Sequence, residues 1–90
     1  MNEREHSSVA HLVHMANDIG DFFSAQSRED AIFGIANHLR SYWSPRMRAM
    51  LTAELERGAV GLNELPCEAV RFLKQRADFK PIHSAGGDAG

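Results

Sequence analysis

The apolar positions of the first third of the chain recur at steps of three and four residues, the spacing that places side chains on one face of a helix. We predict a helix from Ser8 onward, after a polar and flexible stretch formed by residues 1–7. At about 100° per residue, Met15 and Phe22 widen the apolar arc to roughly half of the circumference, and Gly20 lies on the same face. So wide an arc predicts more than one packing partner, and the glycine predicts a close approach by one of them. The apolar face consists of Val9, Leu12, Val13, Ala16, Ile19 and Phe23.

Local capping signals divide the rest of the chain into further helices. Ser27 and Asp30 have the spacing of a capping box, which predicts the start of a second helix. Ser44-Pro45 predicts an abrupt corner followed by a third helix, because proline suits a first helical position and serine the cap before it. Gly58 is placed to end that helix, and Pro66 suits the start of a short fourth one. The second helix has the apolar stripe Ile32, Ile35, Ala36, Leu39 and Trp43.

The complete pattern predicts an all-α fold, a small compact bundle of three to four short helices. We assign this helical domain to residues 8–77. Residues 78–90 are mostly small or polar and rich in glycine toward their end, which predicts a disordered C-terminal tail. A chain of 90 residues buries only about 60–65% of its unfolded surface, so its core is thin.

The composition indicates the cellular compartment of the protein and limits the classes of function that it could have. The net charge of −2 and the 43% hydrophobic content are ordinary for a globular protein. A strong electrostatic attraction to nucleic acid or to membranes is therefore not expected. The single cysteine, Cys67, excludes an intrachain disulfide framework and fits a reducing compartment. The amino terminus lacks the continuous apolar core of a signal peptide. These features predict a cytoplasmic protein.

Few residues of the chain are candidates for catalysis or for metal binding. His11, His14 and Asp18 share the polar side of the first helix and two of them could meet one metal ion, although a solvated polar face explains them better. Cys67 follows Pro66 near a helix start, but no histidine close in sequence would act as its base. We therefore predict no catalytic, cofactor-binding or metal-binding residue in this chain.

The stretch around the Ser-Pro corner is the richest in informative side chains. Together with Arg40 and Tyr42, it resembles a basic-aromatic surface for nucleic acid. However, Arg46 and Arg48 are two positions apart and so point to nearly opposite sides of their helix. Methionine, arginine and tryptophan are enriched at protein interfaces, so we predict a protein-docking surface, although Trp43 could equally fill the core. The predicted partner-binding residues are Trp43, Pro45, Arg46, Met47, Arg48, Met15 and Phe22.

Three segments of the chain carry a family resemblance. They are the stretch from His11 to Ile19 followed by Phe22-Phe23, the run Ile35-Ala36-Asn37-His38-Leu39, and the run Trp43-Ser44-Pro45-Arg46-Met47-Arg48, with Gly61-Leu62 further on. With these segments the chain resembles the delta subunit of the soluble NAD-dependent formate dehydrogenases, over about residues 9 to 76.

The resemblance implies a non-catalytic accessory subunit of a cytoplasmic complex that oxidises formate to carbon dioxide and reduces NAD. It implies that the alpha subunit holds a molybdenum pterin and iron–sulfur clusters, and that the beta and gamma subunits hold the flavin and further clusters. The expected direct partner is the alpha subunit, with no nucleic acid and no membrane. The alternative is a free-standing helical regulator that binds nucleic acid through its arginines.

Overall fold

The computed structural model describes residues 3–58 and 61–76, with side chains from residue 9 onward. This part of the chain forms four helices and no strand, which confirms the prediction of an all-α bundle. The predicted C-terminal tail lies outside the described residues. The helices are α1 (Glu3–Phe23), α2 (Arg28–Tyr42), α3 (Pro45–Glu56) and α4 (Glu64–Gln75).

Capping residues set most of the helix boundaries. The Ser27 hydroxyl accepts a hydrogen bond from the Asp30 amide at 3.2 Å, so α2 starts where the capping box predicts. Ser44 caps α3, whose first residue is Pro45. Gly58 has φ +120°, a conformation that favours glycine, and follows the last turn of α3 as predicted.

Two predicted helix starts are wrong. The first helix begins at Glu3 rather than Ser8, because Glu, Arg and Glu have good helix propensity and let the helix extend upstream without a serine cap. The fourth helix begins at Glu64 rather than Pro66. Pro66 is tolerated in the first turn because the amide hydrogen that it lacks would have no partner within the helix.

The core lies where the four helices meet. Its largest fully buried side chains include Ile35 and Leu39 of α2 and Leu51 of α3, and the most extensive interhelical contact joins α2 to α4. Gly20 of α1 is buried against Pro66 of α4, as its place on the apolar face predicts: a Cβ at Gly20 would lie 2.8 Å from the Pro66 Cδ. The helix α1 contacts α2, α3 and α4, so the wide arc does have more than one partner inside the chain.

Candidate functional site

The corner, residues 43–48, joins the end of α2 directly to the start of α3. Trp43 is the C-cap of α2, and its amide donates to the Leu39 carbonyl at 3.1 Å. The next residue, Ser44, accepts a hydrogen bond from the Met47 amide at 3.2 Å and so caps α3. Two helix ends are therefore satisfied within a two-residue connection, and this fixes the direction of both helices.

The Trp43 side chain belongs to the core. It is only 5% exposed and is packed with the buried residues of α1, α2, α3 and α4. From the sequence, Trp43 could equally belong to the core or to an interface. The structure places its ring inside the bundle. The side chains of the corner that reach the surface beside it are Pro45 and Arg46, which are both exposed.

The Arg48 side chain points inward and stabilises the corner by hydrogen bonds. Its Nη1 donates to the Trp43 carbonyl at 2.6 Å, with longer contacts to the carbonyls of Arg40 at 3.3 Å and Leu39 at 3.5 Å. Burial of the guanidinium and, next, the charge of Arg40 lower the pKa of Arg48. Arginine nevertheless stays charged at all ordinary pH values, so it supplies a permanent positive donor to the carbonyl end of α2.

The two arginines of the corner thus have different environments. Arg46 is exposed, whereas Arg48 is half-buried against backbone carbonyls. They do not form one row of cations for a phosphate backbone, which weighs against the nucleic-acid alternative. Of this pair, Arg46 is the side chain that a protein partner could reach directly.

Among the described residues, two large apolar side chains are mostly exposed to solvent. Phe22 is 78% exposed and its ring meets Phe23 edge to face, with centroids 5.1 Å apart. Tyr42 is 74% exposed, and its ring lies 4.9 Å from that of His38. Both rings are held in place by an aromatic neighbour while most of their surface faces solvent.

These two aromatic side chains lie toward opposite ends of α2. Phe22 precedes the start of α2 by six positions, and Tyr42 is its last residue. A helix of 15 residues is about 22 Å long at 1.5 Å per residue. A partner that covers both rings must therefore extend over about 20 Å.

The comparison with protein families gives a match over residues 11–70, to the family described as NADH-dependent formate dehydrogenase delta subunit FdsD. The chain belongs to this family. The match covers α2, α3, the corner and most of α1 and α4. Comparisons with curated proteins and with solved structures found no match. Within the described part of the chain, no helix has both the length and the apolar character needed to cross a membrane.

The methionines predicted to bind a partner contribute mainly to packing in this delta-family chain. Met15 and Met47 are half-buried and pack against the core cluster. The predicted partner-binding residues therefore divide into exposed side chains, half-buried ones and one buried ring. The exposed ones are Phe22, Pro45 and Arg46; the half-buried ones are Met15, Met47 and Arg48; the buried one is Trp43.

The polar face of α1 has a different arrangement from a metal site. His14 Nε2 lies 3.6 Å from an Asp18 carboxylate oxygen, and both side chains are largely exposed. No group of three His, Cys, Asp or Glu side chains in residues 9–58 and 61–76 is placed to hold a metal ion. Cys67 is half-buried and unpaired in the first turns of α4.

Asn17 has a positioning role that the sequence pattern did not identify. Its Nδ2 donates to the Gly61 carbonyl at 2.8 Å, and its Oδ1 accepts from the Asn63 amide at 2.8 Å. One side chain of α1 thus fixes the connection that leads into α4. Its partners are more than 40 positions away, so no local signal could have revealed them.

Proposed function

We propose that this chain is a non-catalytic accessory subunit that assembles or stabilises a cytoplasmic, molybdenum-dependent formate dehydrogenase, docking on the large alpha subunit. The family match supports membership of a formate dehydrogenase complex. The reaction that such a complex performs is the oxidation of formate to carbon dioxide with reduction of NAD. In this proposal the molybdenum pterin, the iron–sulfur clusters and the flavin all belong to the alpha, beta and gamma subunits.

The observation that carries the docking part of the proposal is the pair of exposed aromatic side chains. Exposure of large rings to water is unfavourable, and complete burial of an exposed one contributes up to about 1.5–3 kcal/mol. Tyrosine, phenylalanine and arginine are also enriched where proteins meet. Phe22 and the group formed by Tyr42, Pro45 and Arg46 are therefore the two contact points that we assign to the partner.

The rigidity of the corner supports the same assignment. The caps and the Arg48 hydrogen bonds fix the backbone at Pro45 and Arg46 before a partner arrives. A preorganised surface loses less conformational entropy on binding. We therefore assign Arg48 to shaping the contact surface and Arg46 to meeting a carboxylate or carbonyl group of the partner, which arginine does well.

The direct test is purification of the complex through an affinity tag on this chain, produced together with the other subunits. We expect a molybdenum- and iron-containing partner to be retained, with formate-dependent reduction of NAD in the eluate. Recovery of the tagged chain alone under gentle, low-salt conditions would contradict the proposal.

Surface variants make the test specific. Phe22→Ala and Arg46→Ala should each weaken binding of the partner by about tenfold, which corresponds to a loss of about 1.4 kcal/mol of binding free energy. Arg57→Ala is the matched control, because Arg57 is exposed and pairs with Glu54 at the end of its own helix. Equal retention by all three variants, with unchanged melting temperatures, would place the interface elsewhere.

A further inference from the structure

A cavity of about 330 Å³ opens between the end of α2, the outer side of α3 and the end of α4. Four of the side chains that line it are basic: Arg40, Arg48, Lys74 and Arg76. Among the described residues, no acidic side chain lines it. The remaining wall is mostly apolar and includes Leu73 and Pro45, which also belongs to the corner. The chain as a whole has a net charge of −2, so this concentration of positive charge is local.

Contacts within the bundle hold the cations around this cavity. Arg48 is tied to the carbonyl end of α2 through Nη1. The Arg76 guanidinium lies over the Phe72 ring, 5.5 Å from its centroid. Lys74 pairs with Glu56, a residue outside the cavity wall, and both of their side chains are about half exposed. At Lys74 a ligand therefore competes with a solvent-exposed ion pair, which contributes little to stability.

Crowding of like charges gives the cavity its chemical preference. Burial and the neighbouring Arg40 lower the pKa of Arg48, so these two positive charges are close enough to destabilise each other. An anion between them would relieve that repulsion. Guanidinium groups bind planar or tetrahedral oxyanions through paired N–H donors, and lysine adds a mobile point charge.

We propose that this cavity is a binding site for the phosphoryl group of a small ligand, held by Arg40, Arg48, Lys74 and Arg76. A phosphoryl group carries close to two negative charges at neutral pH, which matches several converging cations better than one carboxylate does. The volume is at the lower end of the range for small-molecule sites and exceeds the needs of a single carboxylate. The site goes beyond the proposed function, because all its residues come from this chain.

The test is titration of the full-length chain with pyrophosphate at about 0.1 M ionic strength, where charges more than about 10 Å from the site are largely screened. Binding is measured by nitrogen-15 NMR and by calorimetry. We expect saturable binding with one site and with shifts concentrated at the ends of α2 and α4. The double variant Lys74→Gln/Arg76→Gln should weaken binding at least about tenfold, because it removes two charged donors. Acetate, a monovalent carboxylate, should bind at least about tenfold more weakly than pyrophosphate.

The matched control is Arg57→Gln/Arg71→Gln. It removes the same total charge from exposed positions that pair with Glu54 and Glu68 and that do not line the cavity. We expect it to change the affinity for pyrophosphate less than about twofold. Absence of saturable binding to the folded wild-type chain, or equal weakening by both double variants, would overturn the proposal.

A short single-stranded oligonucleotide distinguishes a small ligand from a polymer. If it bound more tightly than pyrophosphate, with a salt dependence that indicates several phosphate contacts, the assignment to a small ligand would be overturned. The capture experiment uses variants of other residues, because Phe22 and Arg46 do not line the cavity. Failure of one proposal can therefore be told apart from failure of the other.

Discussion

At the scale of single residues, Arg48 shows how an arginine next to a surface corner can serve the interior of the fold. The last carbonyls of a helix have no partner within it, and the Trp43 carbonyl receives a charged donor at 2.6 Å. Leu39 and Arg40 supply further carbonyls to the same Nη1. The side chain thereby ties the first turns of α3 to the end of α2.

We predict that Arg48→Met destabilises the protein by about 1–3 kcal/mol, because it leaves a partly buried carbonyl without its charged donor. Arg46→Met is the control and should change the stability by no more than about 0.5 kcal/mol, since Arg46 is exposed. Urea denaturation followed by circular dichroism measures both. Equal stability of the two variants would show that the Arg48 hydrogen bonds contribute nothing net.

The sequence revealed some residue roles and concealed others for a physical reason. Ser27, Ser44 and Gly58 act within one turn of their own helix, so their roles can be read from spacing alone. Asn17 and Arg48 act on backbone groups that only the folded chain brings near them. The inward direction of Arg48 and the burial of Trp43 therefore required the structure.

At the scale of elements, the helices are joined by close contacts as well as by apolar stripes. Gly20 lets the Pro66 ring of α4 lie directly on α1. Gly34 of α2 accepts the ring of Phe23 in a similar way. The sequence predicted the close approach at Gly20 from its place on the apolar face. It could not name the partner helix, because periodicity fixes which face is buried and not what covers it.

We predict that Gly20→Ala destabilises the bundle although alanine favours the helix by about 1 kcal/mol. The new Cβ would lie 2.8 Å from the Pro66 Cδ, and overpacking of this kind costs about 1–3 kcal/mol. The rigid proline ring cannot move without shifting α4. Thermal denaturation of the variant and of the wild-type chain measures the difference.

Gly34→Ala is the informative comparison. Its Cβ would also meet a ring, since the Phe23 Cε1 would lie 2.6 Å away. Phe23 is the last residue of α1, is half-buried and has a rotatable side chain. The expected loss of stability is therefore smaller than at Gly20, and a larger loss at Gly34 would contradict this account.

At the scale of the whole molecule, the docking that we propose requires a partner to reach both exposed aromatic side chains. Phe22 and Tyr42 lie toward opposite ends of α2, a separation of about 20 Å along the helix axis. An interface of the usual size, about 800 Å² on each partner, can cover both. The docking that we propose therefore favours one large partner subunit over a short peptide.

We predict that both rings are protected together in the assembled complex. Hydroxyl-radical labelling with mass spectrometry should show reduced oxidation of Phe22 and of Tyr42 in the complex relative to the isolated chain. Met50, which is half-buried and packs against the core, serves as the internal reference. Protection of neither ring would exclude this surface as the interface.

The burial of Trp43 has an optical consequence. The sequence contains one tryptophan, and its ring is 5% exposed at the junction of α2 and α3. Intrinsic fluorescence of the isolated chain therefore reports on a single, known position without any label. A ligand or partner that leaves the junction closed preserves the blue-shifted emission of an apolar environment, and one that opens it moves the emission toward the red.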